Sequence, residues 1–427
     1  MRNTGPNLDD GLEVLLDHCQ SNVPFYRAIT PTKGGSNERG IIRLKSLPTV
    51  SKGYIRDHYI DFVSNGLVGA HQLEDIIQSH RAPGADVSVE LDNGRRIVVE
   101  STTGSTGCPF VMLKTPQERL ALGANLWHLR RQITPDLLAS DMCLSTHQRA
   151  SKGPVTRLHF LDDGFTAEFL QHMVEGGYRW WHTTPRIMRR FAEVAENIQL
   201  ARRWRIEVIE SGSQYLTEED RHRFSAVYGA KVVNNYGAHE VWTIAYECTL
   251  QRLHVNLPHV FVEVLDGDQE CRPGAFGEIV VTCSELRLMP FVRYRTGDHG
   301  KLLPDCCPCG RVTPTIQLLP DRFDQTIAGH PGLIGKEVFS SVLNNLPTGA
   351  YTSAEVREVG VREYEMTVYD LRWNRENFEA RVRANLFDLL RAKAQMTFIY
   401  KRDDPVSLRK NYLYRSMKNL PPAAILT

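Results

Sequence analysis

Residues 95–109, RRIVVESTTGSTGCP, run an apolar stretch directly into a loop of small polar residues. RRIVVEST reads as a strand entering a glycine-rich turn. From Ser101 to Pro109 the chain places five hydroxyls (Ser101, Thr102, Thr103, Ser105, Thr106) and two glycines (Gly104, Gly107) in nine residues. Glycines let a backbone approach an anion closely, and exposed N–H groups and hydroxyls donate to phosphate oxygens. The GxxxxGK[ST] spacing of a Walker loop is absent. Taken alone, such a cluster is more often a polar surface turn, so the rest of the chain decides.

Working outward, the pattern alternates short apolar runs with helical stretches, which predicts an α/β architecture. PQERLALGANLWHLRRQI, from Pro116, reads as a helix with its acid near the start, and RWRIEVIESGS and AKVVNNYGAHE repeat the strand-to-turn arrangement. From about residue 253, LHVNLPHVFVEVLDGD, FGEIVVTCS and PFVRYRTGD are β-rich between Gly, Pro and Asp turns, which predicts a barrel-like or antiparallel subdomain. Beyond residue 325 a compact α+β module is expected. It has a helix near KEVFSSVLNNL, strands within SAEVREVGVREYEMTVYDL, a helix from Glu376 to Ala394 and a strand TFIY. The expected division is 1–323 and 324–427.

Composition narrows the class. The 427 residues are 42% hydrophobic and 24% charged, with a formal net charge of +1, so no global field draws the chain to nucleic acid or an anionic membrane. No stretch has the roughly 18 apolar residues of a membrane span, and the N-terminus carries acids where a secretory signal has an apolar run. Nine cysteines without regular spacing favour a reducing compartment. A soluble cytoplasmic protein is the expectation, and the chain is compatible with a homodimer.

Several short blocks follow the first loop in order. They are Asn235-Tyr236-Gly237-Ala238-His239-Glu240, then Arg293-Tyr294-Arg295-Thr296-Gly297-Asp298, then Arg322-Phe323-Asp324. A zinc-protease HExxH reading of His239-Glu240 fails, because Thr243 stands where the second histidine is needed. With the loop at 101–109, these blocks resemble the adenylate-forming superfamily, specifically the phenylacetate–CoA ligases. VPFYR near residue 23, LPTVSKGYIRD near residue 47 and the Trp181–Pro185 segment WHTTP are similar to segments of the same family.

The resemblance implies a large multi-subdomain N-terminal adenylate-forming domain and a small α+β C-terminal lid. It implies ATP and Mg²⁺ as cofactors, a small carboxylic acid, aryl or arylacetic, as substrate, and coenzyme A as the commonest acceptor. Ser101, Thr102, Thr103, Gly104, Ser105, Thr106 and Gly107 then hold phosphates. Ser213 and Asn235–Ala238 (Asn235, Tyr236, Gly237, Ala238) surround adenine, Glu240 carries Mg²⁺, Asp298 accepts from the ribose hydroxyls, and Arg322 reaches ribose or phosphate. Hard carboxylate oxygens suit Mg²⁺, an aromatic face suits a purine, and an ionised carboxylate suits a diol. Lys410, in DDPVSLRKNYLYRSMKNLPP, matches the lid lysine that bridges carboxylate and α-phosphate, with Lys418 as the other candidate.

Departures from the family pattern are informative. Cys108 replaces the lysine of the phosphate loop, which weakens pyrophosphate holding or shifts that job to another cation. Ser211-Gly212-Ser213-Gln214 stands where a Gly-Glu pair usually contacts adenine. These changes keep two rivals open: transfer to an amine, another nitrogen nucleophile or a carrier-protein thiol, and a nucleotide-binding protein without catalysis. Trp180, Trp181, Tyr178 and Trp242 read equally as an aromatic pocket or as ordinary core. Finally, Cys248, His254, Cys307 and Cys309 form a Cys-x5-His and Cys-x-Cys set suited to a tetrahedral structural Zn²⁺, with Cys306 as an alternative ligand to Cys307.

Overall fold

The computed structural model describes residues 8–29, 40–79, 87–102, 110–144, 163–198, 205–319, 338–339, 342–343, 346, 350–351, 353–390, 393–402 and 412–415. Among these, one compact unit takes the chain up to Leu318 apart from Gly297–His299, and a second takes Gly297–His299 and the chain from Leu319.

The first unit opens with α1 (Leu8–Asn22), α2 (Pro24–Ile29), α3 (Gly40–Ser46), the short strand β1 (Val50–Ser51), α4 (Lys52–Asp57), α5 (Tyr59–Phe62) and α6 (Ala70–Ser79). A three-stranded antiparallel sheet follows, from β2 (Val87–Glu90), β3 (Arg96–Thr102) and β4 (Phe110–Lys114). β3 and β4 pair antiparallel, and residues 103–109 between them lie outside the described residues. FVMLK is buried at every position, so its strand is a continuous apolar run closed by one lysine.

Helix α7 (Pro116–Arg131) starts where the local chemistry demands. Thr115 accepts from the Glu118 backbone N–H at 3.1 Å, the Glu118 carboxylate accepts from the Thr115 N–H at 2.6 Å, and Pro116 occupies the first turn. Glu118 also accepts from the Leu288 N–H at 2.8 Å, tying the helix start to a distant loop. Next come β5 (Met142–Leu144), α8 (Asp163–Glu175), β6 (Trp180–Thr183), α9 (Pro185–Ile198), β7 (Val208–Gly212), α10 (Glu218–Tyr228) and β8 (Lys231–Ala238). Strands β5 to β8 are parallel neighbours. Side chains alternate across them, and each face has its own core. Trp180, Val208 and Val233 pack with Leu129 of α7, whereas Trp181, Ile209 and Val232 pack with Phe169, Phe191 and Phe224 of α8, α9 and α10.

The sheet then turns antiparallel through β9 (Trp242–Glu247), β10 (Leu253–Val255), β11 (Val260–Asp266), β12 (Gln269–Glu270), β13 (Gly277–Cys283), β14 (Tyr294–Leu302) and β15 (Thr315–Leu318). The antiparallel part expected from residue 253 is therefore present but is not a separate barrel. Its strands continue the parallel sheet in the order β12-β11-β13-β14-β15-β10-β9-β8-β7-β6-β5. The physical reason is β9, which pairs with both β8 and β10 and so leaves no edge at which the sheet could divide.

In the second unit, β16 (Ser353–Gly360) and β17 (Glu363–Tyr369) form an antiparallel pair. β18 (Gln395–Lys401) and β19 (Tyr412–Arg415) join them in parallel, giving the order β18-β17-β16-β19. Helix α11 (Arg375–Leu390) contributes Phe378, Val382, Leu386 and Leu390, one helical stripe, to the core with Val356, Met366 and Val368. Ala394, expected inside this helix, lies outside it. Of the helix expected near KEVFSSVLNNL, the described positions Val338, Phe339, Val342 and Leu343 are helical and buried.

Candidate active site

The turn between β8 and β9 carries the Glu240 carboxylate. Gly237 has to be glycine here, because a Cβ would meet the Trp242 carbonyl oxygen at 2.3 Å. Glu240 is 4% exposed. Its Oε1 lies 2.9 Å from the Lys52 Nζ and accepts the Tyr294 hydroxyl at 2.8 Å. Burial pushes this carboxyl up, but the Lys52 ammonium and the Tyr294 hydrogen bond outweigh it and hold it at about 2. The Lys52 Nζ also sits 5.0 Å from the centre of the Phe110 ring, the first residue of β4. Glu240 is thus within one lysine's reach of the strand that leaves the hydroxyl-rich loop.

Lys52 arrives there by strand pairing. β1 runs parallel to β14 with Val50 opposite Tyr294 and Ser51 opposite Arg295, and Lys52 follows directly, so that its Nζ and the Tyr294 hydroxyl reach the same Glu240 oxygen. Ser51 then caps α4, accepting from the Tyr54 N–H at 3.2 Å. In the sequence, this segment carried a family resemblance but Lys52 had no role of its own. The available sign was Cys108, which leaves the loop without the family's lysine.

Across β6, β7 and β8 lies a second polar group. Glu210, fully buried, accepts from the Arg130 Nε at 2.7 Å, the Trp180 indole at 2.8 Å and the Asn235 side-chain amide at 2.7 Å. Burial raises its carboxyl, and Arg130 with His182 brings it down to about 2. Arg130 also donates to His182 Nδ1 at 3.1 Å. The amide nitrogen of Asn235 is committed to Glu210, which fixes the orientation of a residue expected beside adenine. A glutamate inside the apolar run EVIESG was the available sign of this network, because a buried carboxylate needs partners. Next to it, Ser211 is buried with its hydroxyl unpartnered among the described residues, and exposed Ser213 has a φ of 65°. Trp180 and Trp181 are core, 1% and 0% exposed, and Trp181 stacks on Phe191. Trp242 is partly buried under the Arg119 guanidinium.

The other expected site residues are placed as follows. Ser101 and Thr102 end β3, whereas Thr103, Gly104, Ser105, Thr106 and Gly107 lie outside the described residues. Tyr236 is buried at 8%, and Gly237 and Ala238 complete β8. Asp298 lies on β14, half-buried, after Gly297 at a φ of 75°. Arg322, Lys410 and Lys418 lie outside the described residues.

Cys248, His254, Cys307 and Cys309 do converge. Their ligand atoms all lie within 4.8 Å of one another. The Cys248 and Cys307 sulfurs are 3.7 Å apart, and the Cys309 sulfur is 3.3 Å from His254 Nε2. Burial pushes the imidazole down from its ordinary range, and its Nδ1 pairs with the Thr313 hydroxyl at 3.0 Å. Cys306 is exposed and outside the cluster.

No family model matches the chain. The phenylacetate-coenzyme A ligase of Thermus thermophilus is 25% identical over 336 residues, covering 75% of this chain and 70% of that protein. Among solved structures, 2-hydroxyisobutyryl-CoA ligase in its postadenylation state with 2-HIB-AMP matches with a TM-score of 0.59 at 17% identity, over 96% of this chain and 88% of that one. An open conformation of the same ligase with 2-HIB-AMP and CoA matches with a TM-score of 0.54 at 16% identity, over 95% and 90%. At these identities the structures establish the fold. Among the described residues, no helix is long and apolar enough to cross a membrane. The ordered blocks, the two units and these matches converge: the chain is a homologue of phenylacetate–CoA ligase, built on the fold of the adenylate-forming acid–CoA ligases.

Proposed function

We propose that the chain uses ATP to adenylate a carboxylic acid, aryl or arylacetic, and then passes the acyl group to coenzyme A. The observation that carries this reading is Glu240, an ionised buried carboxylate at the β8–β9 turn, held by Lys52 and Tyr294 next to the exit of the hydroxyl-rich loop. Mg²⁺, when bound with ATP at Glu240, would neutralise phosphate charge. In the first step the substrate carboxylate oxygen attacks the α-phosphorus, and the bond to pyrophosphate breaks. In the second, the CoA thiol attacks the acyl carbon and AMP leaves. Neither step needs a protein nucleophile, so the residues position groups and balance charge. Ser101–Gly107 hold phosphates, Ser213 and Asn235–Ala238 the adenine, Asp298 the ribose, Arg322 ribose or phosphate, and Lys410 the reacting anions. Residues 324–427 act as the lid, and Cys248, His254, Cys307 and Cys309 hold a structural Zn²⁺.

Exchange of labelled pyrophosphate into ATP, with a panel of aromatic acids, tests the first step, and CoA thioester formation tests the second. Acid-dependent exchange and thioester are both expected. No exchange with any acid would support a nucleotide-binding protein without catalysis. Exchange without thioester would move the acceptor to an amine or a carrier thiol.

Lys52 has a defined part in this scheme. In the absence of nucleotide its ammonium neutralises Glu240. When that carboxylate turns to Mg²⁺, the ammonium is available to the phosphates, where the loop offers Cys108 in place of a lysine. Lys52→Met is expected to raise the ATP KM for exchange about tenfold, the loss of one charge-assisted contact of ~1.5 kcal/mol. An unchanged KM would remove Lys52 from phosphate binding.

A further inference from the structure

We propose that the buried Glu100–Lys114 pair is a positioning device that fixes the Glu240 turn against the two strands framing the phosphate loop. This rests on the reading that Glu240 carries Mg²⁺ with ATP. Glu100 is on β3, two residues before its end, and Lys114 is the last residue of β4. The register sets Glu100 opposite Met112 and Val98 opposite Lys114, so the charged residues are diagonal neighbours on one face. Their side chains are each 1% exposed and their charged atoms lie 2.6 Å apart.

The pair reaches across to the turn by two routes. The Lys114 Nζ donates to the His239 carbonyl oxygen at 3.2 Å, in the peptide that joins His239 to Glu240. The second Glu100 oxygen is in charge contact with the Arg119 Nε at 3.2 Å, and the Arg119 guanidinium covers the Trp242 ring at 5.6 Å. Glu240 is therefore bracketed, at 239 and at 242, by contacts from one carboxylate and its two cations.

Stability alone does not account for this arrangement. A buried ion pair loses to desolvation much of what it gains in attraction, and well-packed apolar replacements are often neutral or stabilising. Phe110, Val111, Met112 and Leu113 are all buried, so an apolar residue at 114 would extend the same packing. It could not donate to the His239 carbonyl. What the charged pair adds is a directional bond between the loop's own strands and the peptide that carries the metal-binding carboxylate. Neither Glu100 nor Lys114 touches the substrates in this reading, so both are positioning residues.

The test is ATP–pyrophosphate exchange against free Mg²⁺, at saturating acid, in three variants of the full chain. Glu100→Gln/Lys114→Met removes both charges together and leaves no uncompensated buried ion. Lys114→Met leaves Glu100 with Arg119 alone. Arg119→Met removes the more exposed of the two cations, its side chain being 27% exposed, and leaves Glu100 paired with Lys114. The Mg²⁺ concentration for half-maximal exchange is expected to rise about tenfold in the double variant and less in Arg119→Met, the scale on which losing the groups that orient a metal ligand weakens metal binding. The KM for the acid stays at its wild-type value. A folded double variant with wild-type Mg²⁺ dependence overturns the proposal. Should neither Lys114 variant fold, an unshifted Mg²⁺ midpoint in Arg119→Met overturns it instead. Glu240→Gln is run beside them. If it too keeps wild-type Mg²⁺ dependence, the metal role of Glu240 has failed; if it collapses while the other variants are unchanged, only the positioning role has.

Discussion

Glu240→Gln is expected to lower ATP–pyrophosphate exchange at least about a hundredfold while leaving the protein folded. Glutamine keeps the volume of the side chain and can still accept the Tyr294 hydroxyl, so the 4% exposed site stays packed. What it loses is the charge. Lys52 is left without its carboxylate, but its side chain is 34% exposed and water can solvate it. The loss should therefore appear in chemistry more than in stability. The wild-type carboxyl is held near 2, so it is ionised throughout the working pH range, and a metal ion arriving at this oxygen would compete with Lys52, not with a proton. Acid unfolding offers a second readout. A carboxyl lowered from 4.5 to about 2 contributes stability above its unfolded value and loses it as pH falls through that window. The glutamine variant should lack this acid-sensitive increment. Wild-type exchange in a variant that is still folded at the assay temperature would refute the metal role.

How much of this was legible in the sequence depends on the range of the interaction. The strand before the loop, the helix beginning PQERL and the strands ending at Gly212 and Ala238 are set by local periodicity, caps and glycines, and the chain displays them. Asn235 to Glu240 stood out as a block because neighbours in sequence remain neighbours in a turn. The hairpin partner β9 was not foreseen, although Gly237 marked it, since the close approach of Trp242 only exists once the strands pair. Lys52 meets Glu240 across 188 residues, through the pairing of a two-residue strand too short for any periodicity. Lys114 is the polar end of an apolar run. Only the buried environment, with Glu100 and the His239 carbonyl beside it, shows why a lysine is there. Long-range polar contacts of this kind leave no local pattern, except as charges where an apolar residue would fit.

The cysteine and histidine cluster supports the other large effect, and it should fall on stability. Zn–S bonds of about 2.3 Å and Zn–N bonds of about 2.0–2.1 Å at tetrahedral angles require S···S near 3.8 Å and S···N near 3.6 Å. The observed 3.7 Å between Cys248 and Cys307 and 3.3 Å between Cys309 and His254 are close to these values. A Cys248–Cys307 disulfide would leave an oriented imidazole and a third thiol without purpose beside it. Protein purified without added metal is expected to contain about one zinc per chain. Cys307→Ser should lose it and melt on the order of 5–10 °C lower, since metal binding to a folded site is folding free energy. Cys306→Ser, at an exposed thiol outside the cluster, serves as the control with zinc retained. The catalytic consequence should be small by comparison. β9 starts at Trp242, beside the Glu240 turn, and ends at Glu247, next to Cys248. At about 3.3 Å per residue, the cluster is therefore roughly 20 Å along the strand from the turn. Where Cys307→Ser is still folded, its KM for ATP should match wild type, because the metal would tie the far ends of β9 and β10 to the loop before β15 without reaching the nucleotide. Folded, metal-replete protein without zinc would remove the site. A zinc-free Cys307→Ser with a normal melting point but a collapsed exchange rate would instead make the metal catalytic, which this distance opposes.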